Sequence, residues 1–229
     1  EINAARVSIV GEGEWFDPKD VDAEPSGEIA RSGLVTGTVA EGDAGTIHLT
    51  TPDLDLDAGL IGSASTGTGE AGSINVNITG QMVLQNDGQV SVRSSQADGG
   101  DITINTSGHA LVDNSELSAS AKQDGGSIRL YGDGNFFFRD GRITAEAGQD
   151  GGNIFVEAPE TLVLNRARLS ANAIYGQGGY ILITADGFLP SVETSITASS
   201  EFGVEGTVEI RTPDTDVGSG LVILPEALV

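Results

Sequence analysis

The sequence predicts an all-β chain, a single-stranded right-handed parallel β-helix (a solenoid) with about three short strands per 26–28-residue turn. Three observations carry this expectation. First, a glycine-marked unit recurs, as in Gly151-Gly152-Asn153-Ile154-Phe155-Val156, with the marked glycine at 45, 72, 100, 126, 152, 179 and 206. The spacings are 27, 28, 26, 26, 27 and 27, and a fixed period of this size marks a stacked repeat. Second, the residues two and four places after that glycine are aliphatic in all seven units, from Ile47 and Leu49 to Val208 and Ile210. Alternation with period two is a half-buried strand. Third, the chain has 33 glycines, 5% aromatics and no block of helix-forming periodicity, a composition of many turns and small-residue packing. A β-sandwich would need hairpin turns and no constant period.

Residues 1–40 depart from the repeat and are expected to form an N-terminal cap and first turn, since terminal units must cover the open end of the core. Ala4 to Val10 reads as a strand, Gly11 to Pro18 as a loop carrying the single Trp15, and Ile29 to Val39 as a further stretch of structure. From 41 to 212 the repeat holds. The first strand of each unit follows the glycine. A second lies ten to twelve residues on, at Met82-Val83-Leu84, Ala110-Leu111-Val112, Phe136-Phe137-Phe138 and Leu162-Val163-Leu164. A third carries Leu117 and Ala119, Ile143 and Ala145, Leu169 and Ala171, and Ile196 and Ala198. Asn86-Asp87-Gly88, Asp113-Asn114-Ser115 and Asp140-Gly141 supply turn chemistry between them. One turn cannot bury its own aliphatics, so Ile102, Ile128 and Ile154 are expected in one internal column, completed by the turns above and below. About eight turns at ~4.8 Å give a shaft of ~35–40 Å. The marked glycine suits a corner with positive φ or with no room for a Cβ. Residues 213–229 end in the apolar Gly220 to Val229, expected to fold back on the shaft or occupy a partner.

The chain carries 34 acidic against 11 basic residues, a net charge of -23. That charge repels phosphate backbones and anionic lipid surfaces, so no nucleic-acid partner is expected, and with no run of about eighteen apolar residues no membrane insertion is expected either. There is no cysteine, hence no disulfide, thiolate metal site or cysteine nucleophile. No basic-then-apolar leader opens these residues, so any secretion signal is expected to have been removed or to lie outside them.

The units Gly-Gly-Asn-Ile, Asp-Gly-Gly-Ser-Ile and Asp-Gly-Gly-Asp-Ile, with a third strand reading Leu117 to Ser120, resemble the repeat region of filamentous haemagglutinin-like exoproteins of bacterial two-partner secretion systems. The closing Glu205-Gly206-Thr207-Val208-Glu209-Ile210-Arg211-Thr212-Pro213-Asp214, then Gly220-Leu221-Val222 and Leu224-Pro225, is similar to the C-terminal end of such proteins. The resemblance covers about 41–229. It implies a secreted, cell-surface, adhesin-like shaft that engages a cell-surface glycan or protein. It carries over no catalytic residue, and the family's N-terminal secretion domain is not recognisable in 1–40.

The candidate surfaces follow from which residues alternate outward. The second strands turn out Val83, Leu111, Phe137 and Val163, an apolar stripe over four turns. Phe155, Tyr180 and Leu182 make a smaller patch on the first. Such surfaces are normally covered, here by the chain's own ends, by a second copy in a homo-oligomer or by another partner. Arg139, Arg142, Arg166 and Arg168 are four of only eleven basic residues. They form either a patch for an anionic sugar or carboxylate, or surface ion pairs with nearby acids. Asp53, Asp55 and Asp57 alternate on one side. Alternate carboxylates on a strand lie ~6.5–7 Å apart, too far to hold one Ca²⁺ alone. A solvated acidic face is the expected reading. His48 and His109 have no Ser or Asp partner at triad spacing. No catalytic, metal or cofactor site is expected, and the reading from another class is a polysaccharide-binding or polysaccharide-degrading β-helix. Its carboxylates would have to converge, whereas Glu157 and Glu209 are placed two turns apart.

Overall fold

The computed structural model describes residues 2–4, 6–10, 32–157 and 159–213. The loop with Trp15 and the apolar segment 220–229 lie outside them. The described chain is all strand and turn. It winds through three parallel sheets in rotation, so that each turn adds one strand to each sheet. Sheet 1 stacks eight strands, from Ile2–Asn3 through Ile47–Thr51 to Thr207–Arg211. Sheet 2 stacks seven, from Val7–Val10 to Gly187–Pro190. Sheet 3 stacks seven, from Gly33–Thr38 to Ser195–Thr197. This is a β-solenoid of about seven turns, one fewer than the period and assumed caps suggest. Seven strand spacings in sheet 1 make a shaft of ~34 Å. Residues 1–40 supply its first rung: Ile2–Asn3, Val7–Val10 and Gly33–Thr38 each pair in parallel with the next turn.

The interior is the product of the alternation. Ile47, Ile74, Ile102, Ile128, Ile154, Ile181 and Val208 are successive register partners in sheet 1. Ile74 through Ile181 in that column are wholly inaccessible to water. Sheet 2 contributes Leu54, Met82, Ala110, Phe136, Leu162 and Phe188. Sheet 3 contributes Leu34, Ile61, Val90, Leu117, Ile143, Leu169 and Ile196. These columns meet in one continuous core. Each fully buried aliphatic contributes about 1.5–3 kcal/mol, and only because its neighbours one rung away cover it. At the N-terminal end the core turns polar. Thr36 Oγ1 and Ser63 Oγ both donate to the Gly45 carbonyl, at 2.7 and 3.0 Å, so the buried Ser63 hydroxyl is satisfied.

Two corners explain the turn residues. Between sheets 2 and 3 the chain enters the left-handed region at Ala58, Asn86, Asp87, Asn114, Asp140 and Arg166. Asn and Asp are the non-glycine residues that adopt it most readily, and here the Asn side chains bond to the preceding turn. Asn86 Nδ2 donates to Asp57 and Asn114 Nδ2 to Asp87, at 2.8 and 3.0 Å. Between sheets 3 and 1 stand the marked glycines, and none of them has a positive φ. From Gly72 onward their role is steric, since a Cβ on Gly126 would lie 1.9 Å from the Gly100 carbonyl oxygen, whereas one on Gly45 would meet only the Thr36 side chain at 3.5 Å.

Two residues before those glycines runs an acid ladder. Asp43, Asp98, Asp124 and Asp150 each accept the backbone N–H one turn on, at Glu70, Asp124, Asp150 and Gln177. Asp98, Asp124 and Asp150 thus stack like charges on consecutive rungs, ~4.8 Å apart. The acceptor is needed, but the charge is not. Asp124→Asn keeps an oxygen for the Asp150 N–H and removes repulsion from both sides, so its thermal midpoint will rise at low salt. The gain will shrink in about 1 M salt, where the Debye length is ~3 Å. A lowered midpoint in both buffers would show that the charge itself is required.

Candidate functional site

Four outer surfaces carry the chemistry, and each follows from which side chains the alternation turns away from the core. On sheet 2, Val83, Leu111, Phe137 and Val163 are in register, and Leu189 continues the column by a fifth rung. Phe137 is 42% exposed and Leu189 60%. At its N-terminal end the stripe meets Asp55, the register partner of Val83. Arg6 lies 3.2 Å from one Asp55 oxygen. Asp53 and Asp57 accept the Gln81 backbone N–H and the Gln85 and Asn86 side chains. The three aspartates therefore serve turn and strand contacts of the shaft.

On sheet 1 a relay crosses the rungs. Arg129 pairs with Asp101 at 3.1 Å, and its guanidinium carbon stands 5.4 Å from the Phe155 ring centre. Phe155 and Tyr180 rings tilt together at 6.0 Å. The Tyr180 hydroxyl donates to Glu209 at 2.5 Å, and Arg211 Nε donates to its other oxygen at 2.7 Å. Leu182 sits in register between Phe155 and Glu209, facing outward yet only 8% exposed. The expected three-residue apolar patch is thus a partly charged one, and Leu182 is not on its open surface. Glu157 and Glu209 occupy different columns two turns apart, and Glu209 is already engaged. The Arg211 hydrogen bond, then that of Tyr180, holds its carboxyl below the usual range.

The Glu209 hydrogen bond in turn pushes the Tyr180 phenol above the ordinary 10.0. A pKa raised on folding gives stability that is complete below the unfolded value and lost as pH climbs through the folded one. Of the three tyrosines, one will therefore ionise late when phenolate absorbance is followed through alkaline pH. Tyr180→Phe will remove that late step, and a titration curve that keeps it would contradict the assignment.

The four arginines divide. Arg139 grips Asp113 with two donors, the Nε bond being 2.7 Å, and Arg166 grips Asp140 at 2.7 and 2.6 Å. Each guanidinium holds its partner carboxyl below the usual carboxylate range. Those pairs lend stability above the unfolded carboxylate pKa and lose it as pH falls through the lowered one. Both are largely exposed, so each adds little at neutral pH. Arg142 and Arg168 stack in register beyond Glu116. Arg142 shares a notch of about 20 Å³ with Asp87, Glu116 and Asp140, room for about one water. Two of the four cations, Arg139 and Arg166, are thus engaged by carboxylates. His48 and His109 are both exposed, and His109 Nδ1 accepts the Asn135 N–H at 3.1 Å.

The fourth surface, at the corner from sheet 3 to sheet 1, was not singled out by counting positions within strands. Ala121, Ala147, Ala173 and Ser200 bridge turn to turn. Outside them lies an open groove of about 430 Å³ lined by Lys122, Glu146, Gly148, Asn172 and Ile174. Beside it Tyr175 and Phe202, one turn apart, stack with ring centres 5.6 Å apart and planes within 20°, and are 61% and 68% exposed. Both fall 23 residues after a marked glycine, at 152 and 179. That shared offset is the signal that finds them.

Among the described residues no three His, Cys, Asp or Glu side chains converge as a metal site would require. No helix there is long and apolar enough to cross a membrane. Compared with protein families, curated proteins and solved structures, the chain matches none.

Proposed function

We propose that this chain is the stiff shaft of a secreted or cell-surface protein of the filamentous haemagglutinin-like, adhesin type, presenting a rigid binding surface to a cell-surface glycan or protein. The observation that carries the reading is the unbroken register of about seven turns. Outward side chains are repeated at a pitch of ~4.8 Å on a scaffold whose described residues are mostly strand and short turn. Such a scaffold suits display more than chemistry, and the Gly-Gly-x-Ile units with their Leu117 to Ser120 third strand give the reading its family. The net charge of -23 keeps shafts apart in solution. The apolar stripe on sheet 2 is then the face that a second copy or another partner covers.

The experiment is surface proteolysis of intact cells of the native host, with the shaft detected by antibody in the medium, in the cell wall and inside. The shaft should appear in the medium, or on the cell in protease-sensitive form. Recovery solely from the cell interior would overturn the reading. A polysaccharide-binding role is the second reading, and the groove beside Tyr175 and Phe202 favours it. Release of reducing ends from soluble polysaccharides would extend it to degradation.

A further inference from the structure

We propose that the groove between Lys122 and Ile174 binds a neutral, hydroxyl-bearing oligosaccharide, with Tyr175 and Phe202 as its apolar rim and Glu146 and Lys122 as its polar contacts. The inference rests on the display reading for its context, but its own support is local. Lys122, Gly148, Ile174 and Glu201 follow, one residue on, the bridged column of Ala121, Ala147, Ala173 and Ser200. At Gly148 that outer column has no side chain, and a Cβ there would lie 2.1 Å from the Lys122 carbonyl oxygen. The missing side chain leaves the gap between the Lys122 and Ile174 rungs. Its floor is alanine methyls, and its volume of about 430 Å³ falls within the range of small-ligand sites.

The chemistry of the lining selects among ligands. Glu146 Oε1 accepts from the Ser170 hydroxyl and from Asn172 Nδ2, which fixes the carboxylate and leaves Oε2 as a free acceptor. Asn172 is saturated, since its Nδ2 also donates to Ser170 Oγ and its Oδ1 accepts from the Ser199 N–H and hydroxyl. Lys122 lines the groove and makes no ion pair among the described residues, so its ammonium is the donor on that side. One fixed acceptor and one ammonium donor match a vicinal pair of sugar hydroxyls. The 42% exposed Ile174 and the exposed Tyr175–Phe202 pair offer apolar surface against which the C–H side of a pyranose can pack. A polyanionic glycan is disfavoured by Glu146, Glu201 and the net charge of -23.

The test is calorimetric titration of the full chain with cellohexaose, laminarihexaose and maltohexaose. Tyr175→Ala/Phe202→Ala and Glu146→Gln are run beside it, with Val192→Ala, at a side chain 97% exposed and outside the groove, as control. All substituted side chains are exposed, and thermal unfolding checks that each variant folds. One of the three sugars should bind saturably. The aromatic double variant should bind about tenfold more weakly, as loss of an aromatic hot spot does. Glu146→Gln should also weaken binding, and Val192→Ala should leave it unchanged. The proposal is overturned if none of the three sugars binds, or if the double variant binds as the wild type does. Either result leaves the display reading standing, because surface proteolysis of intact cells tests that separately.

Discussion

Phe136→Ala will lower the unfolding free energy by about 3–5 kcal/mol, the range for an aromatic removed from a packed core. Phe136 is wholly buried and stands between Ala110 and Leu162 in the inner column of sheet 2. The column has been fitted to it from two sides. Ala110, one rung below, is the smallest member, and Gly132 holds open the corner where a Cβ would come within 2.7 Å of the Phe136 ring. Deleting the ring leaves a cavity with small residues on those two sides. Collapse would have to pull whole rungs together, which the strand hydrogen bonds oppose. Phe136→Leu should recover more than half of the loss, because Leu162 already fills the equivalent place one turn on. Phe137→Ala is the comparison, since Phe137 is the next residue along but 42% exposed. Its truncation should cost under about 1 kcal/mol, as surface substitutions do. Urea unfolding of the three variants checks this. A larger loss at 137 than at 136 would mean that the inner and outer faces of sheet 2 have been exchanged, and equal losses would mean that alternation does not set burial there.

How much of this was legible depended on where in the turn a residue stands. Inside the strands, period-two alternation at fixed distance from the glycine gave inner and outer faces directly, and Ile102, Ile128 and Ile154 occupy one column as expected. Legibility fell where the period slips. The connection before Gly187–Pro190 is one residue shorter than its predecessor, so Phe188 rather than residue 189 takes the inner place opposite Leu162. That slip hid Leu189 from the apolar stripe. It fell again at the corners. The left-handed turn is announced by Asn86, Asp87, Asn114 and Asp140, but Ala58 and Arg166 adopt it too. Neither residue signals it in sequence, because the corner is imposed by the turns above and below. The acid ladder and the Tyr175–Phe202 stack do keep constant offsets from the glycine. They are visible once corners are counted as carefully as strands. Pairing partners are harder still: the Arg139–Asp113 and Arg166–Asp140 contacts join residues 26 apart, and only the register brings them together.

Gly152→Ala will destabilise the shaft by about 3 kcal/mol, at the upper end for forcing one methyl into packed structure. The cause is contact, not conformation, because Gly152 has no left-handed φ to protect. A Cβ at 152 would lie 1.9 Å from the Gly126 carbonyl oxygen, and a Cβ at 179 would lie 1.7 Å from that of Gly152. The obstructing atoms are backbone, so no side chain can swing aside. Separating the rungs would strain the parallel ladder on either side, where Asn153–Glu157 pairs with both its neighbours. It would also pull at the Gly152 N–H bond to the Ala145 carbonyl at 2.8 Å. Gly42→Ala provides a sign test with the same chemical change. A Cβ there meets nothing within 4 Å, and Gly42 also lacks a left-handed φ. It should therefore gain about 0.4–1 kcal/mol by restricting the unfolded chain. Opposite shifts of the thermal midpoint in the two variants are the expected result. If Gly152→Ala unfolds at the wild-type temperature, the glycine column is not what sets the distance between turns, and the recurring Gly-Gly loses its physical explanation.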